Sequence, residues 1–305
     1  MKLVRVATRG SLLAVTQTGW VVEQLKQANP GVTFELNTFK TVGDQVQDVA
    51  LSQIGGKGLF TKELEDALLD GRADMAVHSL KDMPTALPAG LGLVCIPPRE
   101  DPRDVVVTAD GTRFADLPAG SLVGTSSLRR LAQLRAARPD LEYGPIRGNV
   151  DTRLRKLQEG QVAALVMAAS GLHRVGFTTR ITEYLDPAFC LPAPGQGALA
   201  IEIRTADAEL AAIVSRIHDE ATATAVAAER ALLERVQGGC QVPVGAYAVR
   251  AGSNLRLTGL IASPDGSRVI RHESVGPVAG ATALGEQLGD WLLAHGGQEI
   301  LANLR

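Results

Sequence analysis

Short apolar runs of strand length alternate with segments of helical periodicity along most of the chain, and near residue 236 this gives way to a strand-rich tail. Residues 2 to 7 read as a buried strand, and Thr8-Arg9-Gly10-Ser11 leads into a helical pattern from Leu12 to about Ala28, with Ser11 placed as its N-cap. Alternation in Val32-Thr33-Phe34-Glu35-Leu36 predicts a second strand. An amphipathic helix from Leu59 to Leu69, closed by Gly71, precedes a short strand, Ala73 to His78, that ends in Ser79-Leu80-Lys81-Asp82-Met83-Pro84. Strands interleaved with helices predict an α/β fold, with a parallel or mixed sheet covered on both faces.

The order then recurs. After a strand from Leu91 to Ile96, the segment Pro97-Pro98-Arg99-Glu100-Asp101-Pro102 is dense in proline and charge and reads as a crossing between domains. A strand at Leu122-Val123, the turn Gly124-Thr125-Ser126-Ser127, a helix from Leu128 to about Ala137 and a strand near Leu141 follow. A helix from Val150 to Gln158, closed by Gly160, leads to the apolar strand Val162 to Met167 and to Ala168-Ala169-Ser170-Gly171. Thr8-Arg9-Gly10-Ser11-Leu12 and Thr125-Ser126-Ser127-Leu128 occupy equivalent places, as do the helix-Gly-strand units ending at Ser79 and Ser170. Two related α/β lobes are the expectation, although generic α/β grammar would also produce so loose a match.

Pro192-Ala193-Pro194-Gly195-Gln196-Gly197 is a second crossing, followed by a strand, Ala198 to Ile203, and a helix. If that strand completes the first lobe's sheet, two segments join the lobes, which is hinge architecture. From Glu220 a helical pattern runs to about Arg235, followed by strands near Val244 to Val249, Leu255 to Ala262 and Arg268 to Val275, a hairpin turn at Ser263-Pro264-Asp265-Gly266, and a last helix to about His295. The expected division is residues 1–97 with 198–216, residues 103–191, and an α+β domain over 220–305.

Composition narrows the function classes. The 305 residues are 45% hydrophobic and 21% charged, with a formal net charge of −2. That balance removes the broad electrostatic reason to expect nucleic acid or an anionic membrane as partner, so any affinity for anions is local. No metal is expected: Cys95, Cys190 and Cys240 form no C-x-x-C pair, and the five histidines are scattered. The N-terminal Met1 to Val6 enters a strand pattern without a signal-peptide apolar region, so a cytoplasmic protein is expected. A monomer is expected as a separate matter.

The arginines carry the strongest physical signal. Arg129 and Arg130 open a helix, Arg147-Gly148-Asn149 follows a strand, Arg153 and Arg155 lie on the next helix, and Arg9 and Arg174 stand at other strand ends. Ligands of open α/β sheets bind beyond the carboxyl ends of the strands, and arginine suits bidentate carboxylate recognition. A cleft for an anion with several carboxylates or phosphates fits this placement; solvated surface charge is the alternative, and it suits Arg135 and Arg138. Gly55-Gly56-Lys57-Gly58-Leu59-Phe60 is no Walker A loop, since the first glycine and the Lys-Ser/Thr ending are missing. It reads either as a mobile cover that offers Lys57 to an anion or as an ordinary surface loop. Asp82 is placed to stabilise a developing cation, or else to cap a turn. Cys240, presented by Gly238-Gly239 and followed by Gln241-Val242-Pro243, is either a covalent anchor on a tight turn or a small buried residue at a helix end.

The motifs Ala7-Thr8-Arg9-Gly10-Ser11-Leu12-Leu13-Ala14, Gly55 to Phe60, Val77-His78-Ser79-Leu80-Lys81-Asp82-Met83-Pro84, Gly124-Thr125-Ser126-Ser127-Leu128-Arg129-Arg130, Ile146-Arg147-Gly148-Asn149-Val150-Asp151-Thr152-Arg153 and Gly238-Gly239-Cys240-Gln241-Val242-Pro243 together resemble the porphobilinogen deaminase (hydroxymethylbilane synthase) family, in order and over the whole chain. The resemblance implies two lobes built like type 2 periplasmic binding proteins, a third domain, and a dipyrromethane cofactor in thioether linkage to Cys240. It implies that four porphobilinogen molecules are deaminated and joined head to tail into a linear tetrapyrrole. Asp82 matches the family's catalytic aspartate. Lys81, Ser127, Arg129, Arg130, Arg147 and Gly148 are implied as cofactor contacts, and Arg9, Ser11, Arg153, Arg174, Lys57 and Phe60 as substrate contacts. Gln53 stands where the resemblance leads one to expect a basic residue. The competing reading, from fold reuse, is a two-lobed anion-binding sensor without chemistry.

Overall fold

A computed structural model describes residues 2–45, 58–237 and 242–304, and its strands form three sheets among the described residues. The first sheet contains β1 (Lys2–Arg9), β2 (Val32–Phe39), β3 (Met75–Ser79), β4 (Leu91–Cys95) and the returning strand β10 (Leu199–Arg204), in the order β2-β1-β3-β10-β4. β1 runs parallel to β2 and β3, while β10 lies antiparallel between β3 and β4. One face packs Val4, Val6, Met75 and Ile201 against Val21, Val22 and Leu25 of helix α1 (Leu12–Ala28). After the short helix α2 (Val42–Gln45), helix α3 (Lys62–Leu69) covers the other face, where Leu64 and Leu68 meet Ala7 and Ala76. Helices therefore cover both faces of the sheet, the usual arrangement where parallel strands are joined by helical crossovers.

The second lobe repeats the plan. Strands β5 (Asp104–Thr108), β6 (Leu122–Gly124), β7 (Glu142–Gly144), β8 (Ala164–Ala168) and β9 (Glu183–Tyr184) are ordered β7-β6-β8-β5-β9. β6 is parallel to β7 and β8, and β5 is antiparallel to β8 and β9. Taken strand by strand, β1 corresponds to β6, β2 to β7, β3 to β8, β10 to β5, and β4 to β9. The resemblance in local sequence thus has a local cause. Ser11 caps α1, accepting from the Ala14 N–H at 3.3 Å, and Ser127 caps α4 (Leu128–Ala137), accepting from the Arg130 N–H at 3.4 Å. Helices α5 (Val150–Gln158) and α6 (Ala169–Arg174) complete this lobe.

In both lobes the antiparallel strand arrives directly from a crossing, β5 after residues 96–103 and β10 after residues 185–198. Strands β5 and β9 are absent from the sequence reading. Asp104-Val105-Val106-Val107-Thr108 is buried on both faces and so lacks alternation, and β9 is two residues long. Helix α3 begins at Lys62, three residues after the expected start at Leu59.

Helix α7 (Ala208–Val214) leads into the third domain, an antiparallel meander of β11 (Val244–Ala251), β12 (Asn254–Ala262) and β13 (Val269–Pro277). Helices α8 (Glu220–Arg235) and α9 (Ala281–Leu292) pack together on one face of it, with Ala228, Leu232, Leu257, Ile261, Leu288 and Leu292 in the core. The last expected helix ends where the sequence reading placed it, near His295. A kink at His295-Gly296, where Gly296 has φ 109°, separates α9 from α10 (Gln298–Ala302).

Candidate functional site

The carboxyl ends of β1, β3 and β8 open into a cleft between the lobes with a volume of about 280 Å³. Arg9 and Ser11 enter from the end of β1, Lys81 and Asp82 from a single 3₁₀ turn (Leu80–Asp82) after β3, and Arg130 from α4. Arg147, Gly148 and Arg153 come from the loop before α5 and its first turn, and Arg174 from the last residue of α6. Among the described residues, then, six cationic side chains line the cleft and Asp82 is the one carboxylate.

Backbone geometry fixes several of these groups. Arg153 Nε donates to the Gly148 carbonyl at 2.7 Å, and Lys156 Nζ to the Arg147 carbonyl at 3.1 Å. Gly148 has φ 111°, and a Cβ there would lie 2.6 Å from Thr152 Cγ2, so this bend accepts only glycine. Arg174 Nη2 donates to the Gly197 carbonyl at 2.6 Å. Phe60 lies under the Arg9 guanidinium, 4.2 Å from ring centroid to Cζ. Ser79 Oγ donates to Gln17 Oε1 at 3.0 Å, just before the 3₁₀ turn.

Burial, with like-charge crowding second, disfavours the charged forms of several of these cations. Burial, then the charge of Arg130, pulls the Lys81 ammonium down to about 8. Arg153 is pulled down to about 10 by burial and then by Arg130 and Arg147, and Arg174 to about 10 by burial. A cation whose charged form is disfavoured gains most from an incoming anion, so the cleft is electrostatically primed for carboxylates.

Arg129 departs from the sequence reading. It is 4% exposed, does not line the cleft, and donates from Nη1 to Asp104 Oδ2 at 2.6 Å and to the Leu191 carbonyl at 2.7 Å. Successive helical residues point about 100° apart, so Arg130 reaches the cleft while its neighbour turns inward. Arg130 also pairs with Asp104, through Nη2 to Oδ1 at 2.8 Å. Burial alone would raise Asp104, but the two guanidiniums hold its carboxyl well below the usual carboxylate range. Ser127 acts as the α4 cap and is not among the lining residues. Lys57, Gln53 and Cys240 lie outside the described residues.

Three groups behind the cleft escaped sequence reasoning. Gln196, wholly buried, donates from Nε2 to the Pro102 carbonyl at 2.6 Å and to Asp104 Oδ1 at 2.8 Å, while its Oε1 accepts from Lys81 Nζ at 3.4 Å and Arg130 Nη2 at 3.5 Å. Glu229 of α8 is fully buried, paired with Arg99 at 2.7 Å, and accepts from the Gly195 and Ala248 N–H groups at 2.7 and 2.9 Å. Next to it, Arg230 donates to the Met83 and Pro84 carbonyls at 3.3 and 2.8 Å. The available signal was a charged or amide residue set in an apolar or proline-glycine run, which names a buried partner only once the fold has supplied it.

A two-lobed α/β fold that gathers cations from both lobes around one carboxylate among the described residues, with a third domain braced on its crossings, defines a protein with an anion-attracting cleft between its lobes. Two family models match the chain: "Porphobilinogen deaminase, dipyromethane cofactor binding domain" over residues 4–212 and "Porphobilinogen deaminase, C-terminal domain" over residues 223–294. The chain belongs to the porphobilinogen deaminase family. It is 53% identical to the porphobilinogen deaminase of Pelobacter propionicus over 297 residues, covering 97% of this chain and 96% of that one. The porphobilinogen deaminase of Syntrophobacter fumaroxidans is 50% identical over 303 residues, covering 99% and 98%. Among solved structures, the periplasmic VFT2 domain of BvgS from Bordetella pertussis is similar over 70% of this chain and 86% of its own, at 18% identity and a TM-score of 0.43. No helix among the described residues is long and apolar enough to cross a membrane.

Proposed function

We propose that the chain carries a dipyrromethane on Cys240 and extends it by four deaminated porphobilinogen units, releasing hydroxymethylbilane, as a cytoplasmic monomer. The moving units are residues 1–97 with 198–216, residues 103–191, and residues 220–305. The observation that carries this reading is the ring of six cations about Asp82 in a protein of net charge −2. Each pyrrole bears an acetate and a propionate, so the donor set fits the cofactor: carboxylates offset the burial and, after it, the like-charge repulsion that lower Lys81 and Arg153. When attached, the cofactor supplies the free terminal ring that accepts each incoming unit.

Lys81, Arg130, Arg147 and the Gly148 backbone hold the cofactor's carboxylates in this reading, and Arg9, Ser11, Arg153, Arg174 and Phe60 orient the substrate. Asp82 stabilises positive charge as ammonia leaves the porphobilinogen aminomethyl group, and it accepts hydrogen bonds from pyrrole N–H groups. Among the described lining residues Asp82 is the carboxylate that favours a cation, and in this reading it localises the charge at the reacting carbon. Brief mixing with porphobilinogen, quenching and intact-mass measurement test the reading. A ladder of species, each heavier by one deaminated pyrrole, is expected; a folded protein that never departs from its starting mass under these conditions defeats it.

Charge at Lys81 also sets a pH dependence. In the ligand-free cleft this ammonium is charged below about pH 8, and a carboxylate ligand raises its pKa. Binding therefore takes up a proton above pH 8, and affinity falls as pH rises, by at most about tenfold per unit. The folding contribution has the opposite sign: a lysine depressed in the fold is a penalty at low pH, relieved as pH passes 8 toward its unfolded value. Titrating apoprotein with an unreactive pyrrole dicarboxylate should give constant affinity below pH 8 and a decline above it, and Lys81→Arg should flatten that decline. A decline unchanged by Lys81→Arg assigns the titration to another group.

A further inference from the structure

The cleft is at the small end of ligand cavities, about 280 Å³ against roughly 300–1,000 Å³ for sites that hold one drug-sized molecule. A chain of six pyrroles requires more room, so the lobes must shift on the two segments that join them. Those segments meet at Gln196. Its amide nitrogen holds the Pro102 carbonyl of the first crossing and Asp104 at the start of β5, and it sits in the second crossing itself. Its oxygen receives Lys81 from the first lobe and Arg130 from the second.

We propose that Gln196 is the positioning residue that couples occupation of the cleft to the geometry of the crossings, by exchanging its hold on Lys81 and Arg130 for that of ligand carboxylates. Ligand carboxylates compete with Gln196 Oε1 for both cations, because charge-assisted bonds to an anion are stronger than the long contacts, 3.4 and 3.5 Å, to a neutral amide. Release of those contacts leaves the carboxamide tied only to the crossing side. The contacts at the crossing are short, 2.6 and 2.8 Å, and persist when the cleft side lets go. Differential contact of this kind is what allows a ligand to bias a two-state element. Gly197 leaves this junction no slack: it has φ 88°, and a Cβ there would stand 2.3 Å from the Glu100 carbonyl oxygen.

This inference rests on the proposed function, and the test separates the two. Hydrogen exchange is measured in the peptides spanning residues 96–104 and 192–199 of the holoenzyme, with and without porphobilinogen, alongside the intact-mass ladder. In the unaltered protein substrate should change exchange in these peptides several-fold. In Gln196→Met, which keeps the volume and loses the amide, that difference should vanish, and the ladder should pile up at the first additions while KM changes less than about twofold. Gln196→Asn, the fallback if the methionine variant does not fold, should respond in the same direction and more weakly. An identical exchange difference and an even ladder in a folded Gln196 variant overturn the coupling. A uniformly slower ladder with the exchange difference retained also overturns it, since that is the mark of a merely structural residue. Absence of any ladder in the unaltered protein counts against the proposed function instead.

Discussion

Asp82→Ala is expected to cut tetrapyrrole formation by about 10²–10⁴-fold, the span associated with losing a group that stabilises transition-state charge or moves a proton. The effect should be chemical, because the backbone around Asp82 is held independently of its side chain. Leu80 N donates to the Ala198 carbonyl at 3.0 Å and Met83 N to the Leu80 carbonyl at 3.1 Å. Leu80 and Met83 are 1% and 2% exposed and pack against Val226 of α8, and Arg230 grips the carbonyls just beyond. Removing the carboxylate should therefore leave the thermal midpoint within a few degrees of the starting protein. Among the described residues it leaves the cleft lined by six cations and no carboxylate, which disfavours a developing cation. Initial rates of ammonia release, with the melting curve as control, measure this. Retention of more than a tenth of the activity would remove Asp82 from the chemistry.

Cys240→Ala should remove the mass increment of two deaminated pyrroles that the unaltered protein carries, and with it essentially all turnover, since no carbon-sulfur bond can form. The described residues nearest to it in the chain belong to the third domain: Val236 is 2% exposed, Gln237 turns left-handed with φ 52°, and Val242 packs against the third-domain core. Fold and cleft charge are untouched, so the variant should still bind a free dipyrrole tetracarboxylate. Intact mass and an equilibrium titration read the two effects separately. An increment that survives the substitution places the anchor elsewhere, on Cys95 or Cys190; both are buried, and burial pushes each thiol up to about 12. Such thiols are poor nucleophiles at neutral pH.

What the sequence disclosed about this molecule follows the range of the forces involved. The Thr8–Leu12 and Thr125–Leu128 turns were legible because a serine cap and the helix behind it are local events, and the structure returns both caps at equivalent strand ends. The crossings were legible from proline density. By contrast, Arg129 and Arg130 look alike in one dimension; both bind Asp104, and the rotation of about 100° between helical neighbours lets only Arg130 line the cleft as well. Asp104 itself was invisible as a functional neighbour, because its partners lie on α4 and in the second crossing, 25 or more residues away. Gln196 has no legible role in the sequence, for an amide acquires one only from the four groups that surround it. Residue type and position anticipate the five arginines of the cleft, Lys81 enters through the family resemblance, and the roles within the group are proposals.

Interleaving of the chain has a consequence for the order in which a ribosome can hand this molecule over to folding. The second sheet uses only residues 104–184, so every strand it needs has been synthesised once β9 emerges. The first sheet cannot close then, although its strands β1 to β4 emerged earlier, because β10 has to slide between β3 and β4. Until residue 204 is available, β4 has no neighbour and β3 presents a bare edge to any other nascent chain. The half of the protein made first is thus the half completed later, and the interval belongs to translation speed as much as to thermodynamics.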